Sequence, residues 1–132
     1  MPPKKSYKEI LIPALNIYRR RAISRDPDIG LYGGIQIHTD EAFLEKEQNY
    51  LLNGDPAEPV RLKDWKSGTI LAVLQVAITD YIFYEDEEVV EITDPDGWHP
   101  ISIKKGKLTE KAHEFDLDSL LAIMRQLGYS SN

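Results

Sequence analysis

Cysteine is absent from this chain of 132 residues. That absence excludes a disulfide framework, a thiolate nucleophile and a cysteine-based zinc site, and it suits a reducing compartment, so a cytoplasmic location is expected. Lysine and arginine are missing from the whole of residues 67–103, while Asp80, Glu85, Asp86, Glu87, Glu88, Glu91, Asp94 and Asp96 all fall there. Long apolar runs are missing too. The richest stretch, residues 69–84, is interrupted by Gln75, Thr79 and Asp80 and falls short of the ~20 apolar residues that a membrane-spanning helix needs. Met1-Pro2-Pro3-Lys4-Lys5 has neither the apolar segment nor the small-residue cleavage site of a secretory signal, so neither export nor a membrane partner is expected.

Several catalytic signatures are also lacking. There is no Gly-x-Ser-x-Gly elbow and no H-E-x-x-H or H-x-x-x-H spacing among His38, His99 and His113. Gly30-Leu31-Tyr32-Gly33-Gly34 is glycine-rich but lacks the Lys-Ser/Thr of a phosphate loop and precedes a predicted strand, whereas phosphate cradles follow a strand and open a helix. Asp94-Pro95-Asp96-Gly97 shares alternating carboxylates and a glycine with the opening of a calcium loop, but Trp98-His99-Pro100-Ile101 supplies none of the further oxygen ligands. Pro95-Asp96 followed by Ser102-Ile103-Lys104 has the outline of a two-part metal-nuclease pattern, with Ser102 where the second acid should stand. No cofactor is expected, and catalysis is not the favoured reading.

What the chain does have is a divided charge. Residues 1–25 hold Lys4, Lys5, Lys8, Arg19, Arg20, Arg21 and Arg25 against Glu9 alone, a balance of +6; the remainder therefore carries −12 to give the total of −6. Such asymmetry bears on partners and association rather than on fold. The overall acidity opposes nucleic-acid binding through the basic segment.

With 42% hydrophobic and 29% charged residues the composition is that of an ordinary globular protein, and the length suits a single domain over residues 1–132. Ser6-Tyr7-Lys8-Glu9 forms a capping box, followed at helical spacing by Tyr7, Ile10, Leu11, Ala14, Leu15 and Tyr18. Pro13 predicts a kink or a helix start. Residues 31–38 read as a strand, and Thr39 or Asp40 caps a second helix carrying Phe43, Glu47, Tyr50 and Leu51, stopped by Asn53-Gly54. Residues 55–68 read as a loop anchored by Trp65.

Ile70, Val73, Leu74, Ala77, Ile78, Tyr81 and Ile82 recur at the spacing of one helical face, which predicts a central helix; a strand is the competing reading, because Val73, Val76 and Ile78 are β-branched, but Leu71 to Ile78 has no clean alternation of apolar and polar positions. Residues 89–93, the turn at 94–97 and residues 98–103 predict a hairpin; Lys104-Lys105-Gly106-Lys107 marks the next turn, and residues 108–115 a third strand. Asp116 or Asp118 then caps a last helix with Leu117, Leu120, Leu121, Met124 and Leu127 inward and Gly128 just past its end. The expected fold is α+β: a small, mostly antiparallel sheet with a C-terminal β-meander packed against about four helices.

The expected function is contact with another protein, in the manner of an inhibitor, immunity or antitoxin-like module. The expected surface comprises Tyr84, Glu85, Asp86, Glu87, Glu88, Glu91, Asp94, Asp96 and Trp98: acids to steer a partner with a basic surface, and two aromatics to anchor it. One alternative is a small metal-dependent hydrolase using His38, Asp40 and His99. Another is a homo-oligomer in which the basic helix of one copy meets the acidic region of the next.

Overall fold

The computed structural model describes residues 5–28, 34–53, 68–93, 102–108 and 117–129. Among them are α1 (Tyr7–Arg25), β1 (Ile35–His38), α2 (Glu41–Asn53), β2 (Ile70–Val76), β3 (Thr79–Tyr84), β4 (Glu88–Thr93), β5 (Ser102–Lys107) and α3 (Leu117–Gln126). The five strands form one sheet in the order β1-β2-β3-β4-β5 with every neighbouring pair antiparallel. The fold is therefore α+β, with three helices among the described residues rather than about four.

The central-helix expectation fails. Residues 70–84 form a hairpin, β2 and β3, joined by Ala77 and Ile78. Its two strands are apolar on both faces because both faces are covered, and a strand buried on both sides loses the polar/apolar alternation that identifies it. Leu74, Tyr81 and Phe83 enter a core shared with α1 and α3, whereas Ile70, Val73, Ile82 and Tyr84 enter a second core with Leu44 of α2. An irregularity in register between Ile70 and Ala72 sends Leu71 and Ala72 to the same core. That bulge disturbs the period of two and makes the apolar positions imitate a helical one.

Helix α1 begins at the expected capping box, with Glu9 N–H donating to Ser6 Oγ and Ser6 N–H to Glu9 Oε2. It runs through Pro13, which faces solvent. The hydrogen bond that proline removes falls on the outer side, where solvent can reach the Glu9 carbonyl. Ile10, Leu11, Ala14, Leu15, Tyr18 and Ala22 form the buried stripe, and Arg19 Nε donates to the Ile35 carbonyl at 3.2 Å, tying the helix to β1. The observed β1 begins at Ile35; residues 31–33 lie outside the described set.

Asp40 caps α2, its Oδ2 accepting from Phe43 N–H at 3.1 Å. The side chains of Tyr50 and Leu51 fall outside the described residues, as does the loop expected over 55–68, with Trp65, except for Gly68. The hairpin expected after residue 88 is present as β4 and β5, but its second strand lies at Ser102–Lys107, so Lys104, Lys105, Gly106 and Lys107 are strand rather than turn. A strand at the edge of the described sheet tolerates lysines because their ammonium groups stay in water, and charged edges discourage further pairing. The turn at 94–97 and the strand expected over 109–115 lie outside the described residues.

Helix α3 buries Leu117, Leu120, Leu121, Ile123 and Met124. It stops in a Schellman motif: Tyr129 N–H donates to the Met124 carbonyl and Gly128 N–H to the Arg125 carbonyl, with Gly128 at φ +107°.

Candidate functional site

The structure divides the expected acidic surface. Glu85 and Asp86 are exposed in the turn between β3 and β4. Tyr84 is only 1% exposed and packs in the second core, so it cannot serve as a surface anchor; burial, with Glu88 nearby, pushes its phenol up to about 12. Glu91 is also buried and stands opposite Lys104 on β5, while half-buried Glu88 stands opposite Lys107. The lysines of the neighbouring strand thus offset part of the acidic run. Asp94, Asp96 and Trp98 lie outside the described residues.

Glu87 has a different place. It occupies φ +71° at the end of a three-residue connection, with its N–H donating to the Tyr84 carbonyl, the position that a G1 bulge gives to a left-handed residue. Its carboxylate lies near the phenols of Tyr7 and Tyr129, whose rings are 5.7 Å apart. Burial first raises both phenols above their ordinary value; at Tyr7 the neighbouring Tyr129 and Glu87 then add to it, and at Tyr129 the Glu87 carboxylate does.

Two concavities meet beside the exposed pair. One, of about 520 Å³, runs between α1, α2 and the start of β2; Leu44, Ile70 and Leu71 line its apolar part, and Glu41, Glu45 and Lys8 its charged part. The other, of about 440 Å³, is lined by Gly68, Thr69, Glu85 and Asp86. Thr69 belongs to both. Two hydrogen bonds fix this junction: Glu85 N–H donates to the Thr69 carbonyl at 2.9 Å, and Gln48 Nε2 to the Gly68 carbonyl at 2.5 Å. Four exposed carboxylates, Glu41, Glu45, Glu85 and Asp86, therefore border one concave surface that includes a single described cation, Lys8.

A second polar group lies under α2. His38 stacks on Phe43 with ring centroids 4.1 Å apart and 17° between planes, and its Nε2 lies 2.7 Å from Gln75 Oε1. An amide oxygen only accepts, so Nε2 carries the proton. Gln75 stands opposite Asp80 across β2 and β3, and its amide lowers the Asp80 carboxyl. Asp80 and Glu47 are both half-buried. Desolvation raises both carboxyls above the usual range, each opposed by His38, and Asp80 raises Glu47 further.

Of the trio His38, Asp40 and His99, Asp40 caps α2 and His38 meets Gln75, while His99 lies outside the described residues. No group of three His, Asp or Glu side chains among the described residues is placed to hold a metal ion. No described helix is long and apolar enough to cross a membrane.

Sequence reasoning overlooked Glu41, Glu45, Gln48 and Thr69. The Glu41/Glu45 pair carried a signal, since carboxylates four apart on a helix share a face. The Gln75–Asp80 pair carried none while residues 70–84 read as one helix. Comparison of the chain with protein-family models, with curated proteins and with solved structures finds no match.

Proposed function

We propose that this protein is a binding module, acting without catalysis, that receives a basic segment of a partner protein on the concave surface between α2 and the β3–β4 turn. The observation that carries the reading is the junction at Thr69, where two concavities share one rim with Glu41, Glu45, Glu85 and Asp86. Like charges around a concave, low-dielectric surface reinforce one another's field and accelerate encounter with a cation. The apolar floor at Leu44, Ile70 and Leu71 supplies what charge alone does not, a place for an anchoring side chain that slows dissociation. An inhibitor, immunity or antitoxin-like role accords with such a surface.

The test is to titrate the labelled protein with a panel of short peptides that pair Lys or Arg with an apolar residue, and to map backbone NMR shifts. Salt-sensitive changes centred on Thr39, Glu45, Gln48, Thr69 and Glu85, abolished by the double reversal Glu45→Lys and Glu85→Lys, support the proposal. Changes confined to the Arg20 and Arg21 end of α1, or binding that survives the reversal, refute it.

A further inference from the structure

The larger concavity is touched by helices from opposite faces of the sheet. Ile12 of α1 packs against the first core and Leu44 of α2 belongs to the second, yet both line it, together with Leu71 from the first core and Ile70 from the second. A cleft that reaches both faces of a sheet opens at its edge. That edge belongs to β2, because β1 stops short: its last pair is His38 with Val73, whereas β2 begins at Ile70. Among the described residues no strand lies beside the first three residues of β2 on this side, roughly 10 Å of edge at the rise of a strand. We infer that this gap is a strand slot, in which the basic segment of the partner binds in extended form, in line with β1 and antiparallel to β2. This mode of binding rests on the surface proposed above and names how that surface holds its ligand.

Backbone direction favours it. The Thr69 carbonyl accepts from Glu85 N–H at 2.9 Å on the β3 side, and the next residue, Ile70, stands opposite Tyr84, the register irregularity between Ile70 and Ala72 having shifted the alternation by one. Backbone groups alternate in direction along an antiparallel strand, so the N–H and C=O of Ile70 point away from β3 and into the slot. An extended ligand residue opposite Ile70 can exchange both hydrogen bonds with it. The slot is also held open at both ends. Gln48 Nε2 donates to the Gly68 carbonyl at 2.5 Å, which ties the start of β2 to α2; Asp40, accepting from Phe43 N–H, turns the chain into α2 and off the line of β1 directly after His38 and Thr39.

The two walls set the ligand's pattern, since successive side chains of a strand point to opposite faces. On the α2 side they meet the exposed carboxylates of Glu41 and Glu45 above Leu44; on the α1 side they meet Ile12 and Leu71, with Lys8 beside them. A Lys or Arg suits the first wall, where its stem crosses the apolar floor and its charge reaches the acids. An apolar residue suits the second, where Lys8 repels another cation. The fitting ligand is therefore a strand of alternating basic and apolar residues, not a basic helix, whose backbone is paired within itself and has nothing to offer Ile70.

The probe is the peptide acetyl-Lys-Val-Lys-Val-Lys-amide, together with variants N-methylated at one residue each, titrated into the full chain and followed by backbone NMR shifts and amide hydrogen exchange. The unmodified peptide is expected to shift Thr39, Glu45 and Thr69 and to slow exchange of the Ile70 amide by roughly tenfold or more. N-methylation at one position is expected to weaken Kd by roughly tenfold or more, because it leaves a backbone acceptor of β2 unpaired, while the positions next to it change Kd far less. Binding at the same residues that every N-methyl variant retains, or that leaves the Ile70 amide unprotected, overturns the strand slot and leaves the acidic surface standing. An Ile70 amide as protected without the peptide as with it means that the chain fills its own edge, and overturns the slot too. Failure of this peptide where other members of the basic and apolar panel bind removes the slot alone; failure of the whole panel removes the binding surface with it.

Discussion

Replacing Ala77 by glycine should stabilise the protein. Ala77 is the first of two residues linking β2 to β3 and sits at φ +54°, the sign that a type II′ connection demands at that place and that glycine normally supplies. An L-residue held there carries about 1–2 kcal/mol of steric cost. Glycine removes that cost but loses roughly 0.4–1 kcal/mol more backbone entropy on folding than alanine does. The difference spans about 0–1.6 kcal/mol and centres on a net stabilisation of about 0.8 kcal/mol, or a rise of roughly 3 °C in Tm for a chain of this size. Among the described residues Ala77 is exposed, and its one described hydrogen bond, the N–H donated to the Gly34 carbonyl at 2.7 Å, belongs to the backbone and is kept by glycine. Thermal unfolding followed by circular dichroism, with urea denaturation alongside, measures the effect. Ala77→Val provides the opposite control, because a β-branched residue tolerates positive φ least. A Tm for Ala77→Gly at or below that of the parent refutes the reasoning and with it the turn geometry.

At the end of α3 the same logic runs the other way: a Cβ added at Gly128 meets nothing within 4 Å, yet φ is +107°, so Gly128→Ala should lose about 1–2 kcal/mol by backbone strain alone in urea denaturation. The raised carboxyls of Glu47 and Asp80 predict a stability contribution that declines as pH rises above the ordinary carboxylate range, and Asp80→Asn should flatten that part of the stability–pH curve measured by denaturant midpoint. Tyr84, pushed up to about 12, and Tyr7 and Tyr129, also raised, keep their protons beyond the usual phenol range. An absorbance titration at alkaline pH should therefore show these three ionising only as the protein unfolds, with the transition lost in denaturant; three phenols titrating normally near pH ~10 in the folded protein would contradict their burial.

The parts of the fold that were legible in the sequence are those with local chemical signatures. Ser6 and Glu9 announced α1, Asp40 announced α2, and Gly128 the end of α3, because caps depend on residues within one turn. The β2–β3 hairpin was illegible for three physical reasons: its turn residues, Ala77 and Ile78, are not turn formers; its strands are buried on both faces; and a bulge shifts the alternation at Ile70 to Ala72. That single misreading hid the polar network as well, since Gln75 and Asp80 face each other only across a hairpin. The acidic run was visible as composition, but its division was not. Burial removed Tyr84 and Glu91 from the surface, while β5 set Lys104 and Lys107 opposite Glu91 and Glu88, pairings that depend on register rather than on sequence spacing.

The contact between the first helix and the last has a temporal consequence. Helix α1 shares its core with α3, and Tyr7 touches Tyr129, so a surface made early in synthesis is completed only by residues made late. At ordinary elongation rates of about 5–20 residues per second, the residues of α3 follow those of α1 by roughly 5–20 s. Throughout that interval Ile10, Leu11, Ala14 and Leu15 have no partner helix, and a nascent chain arrested before Leu117 has only the sheet to cover that apolar stripe.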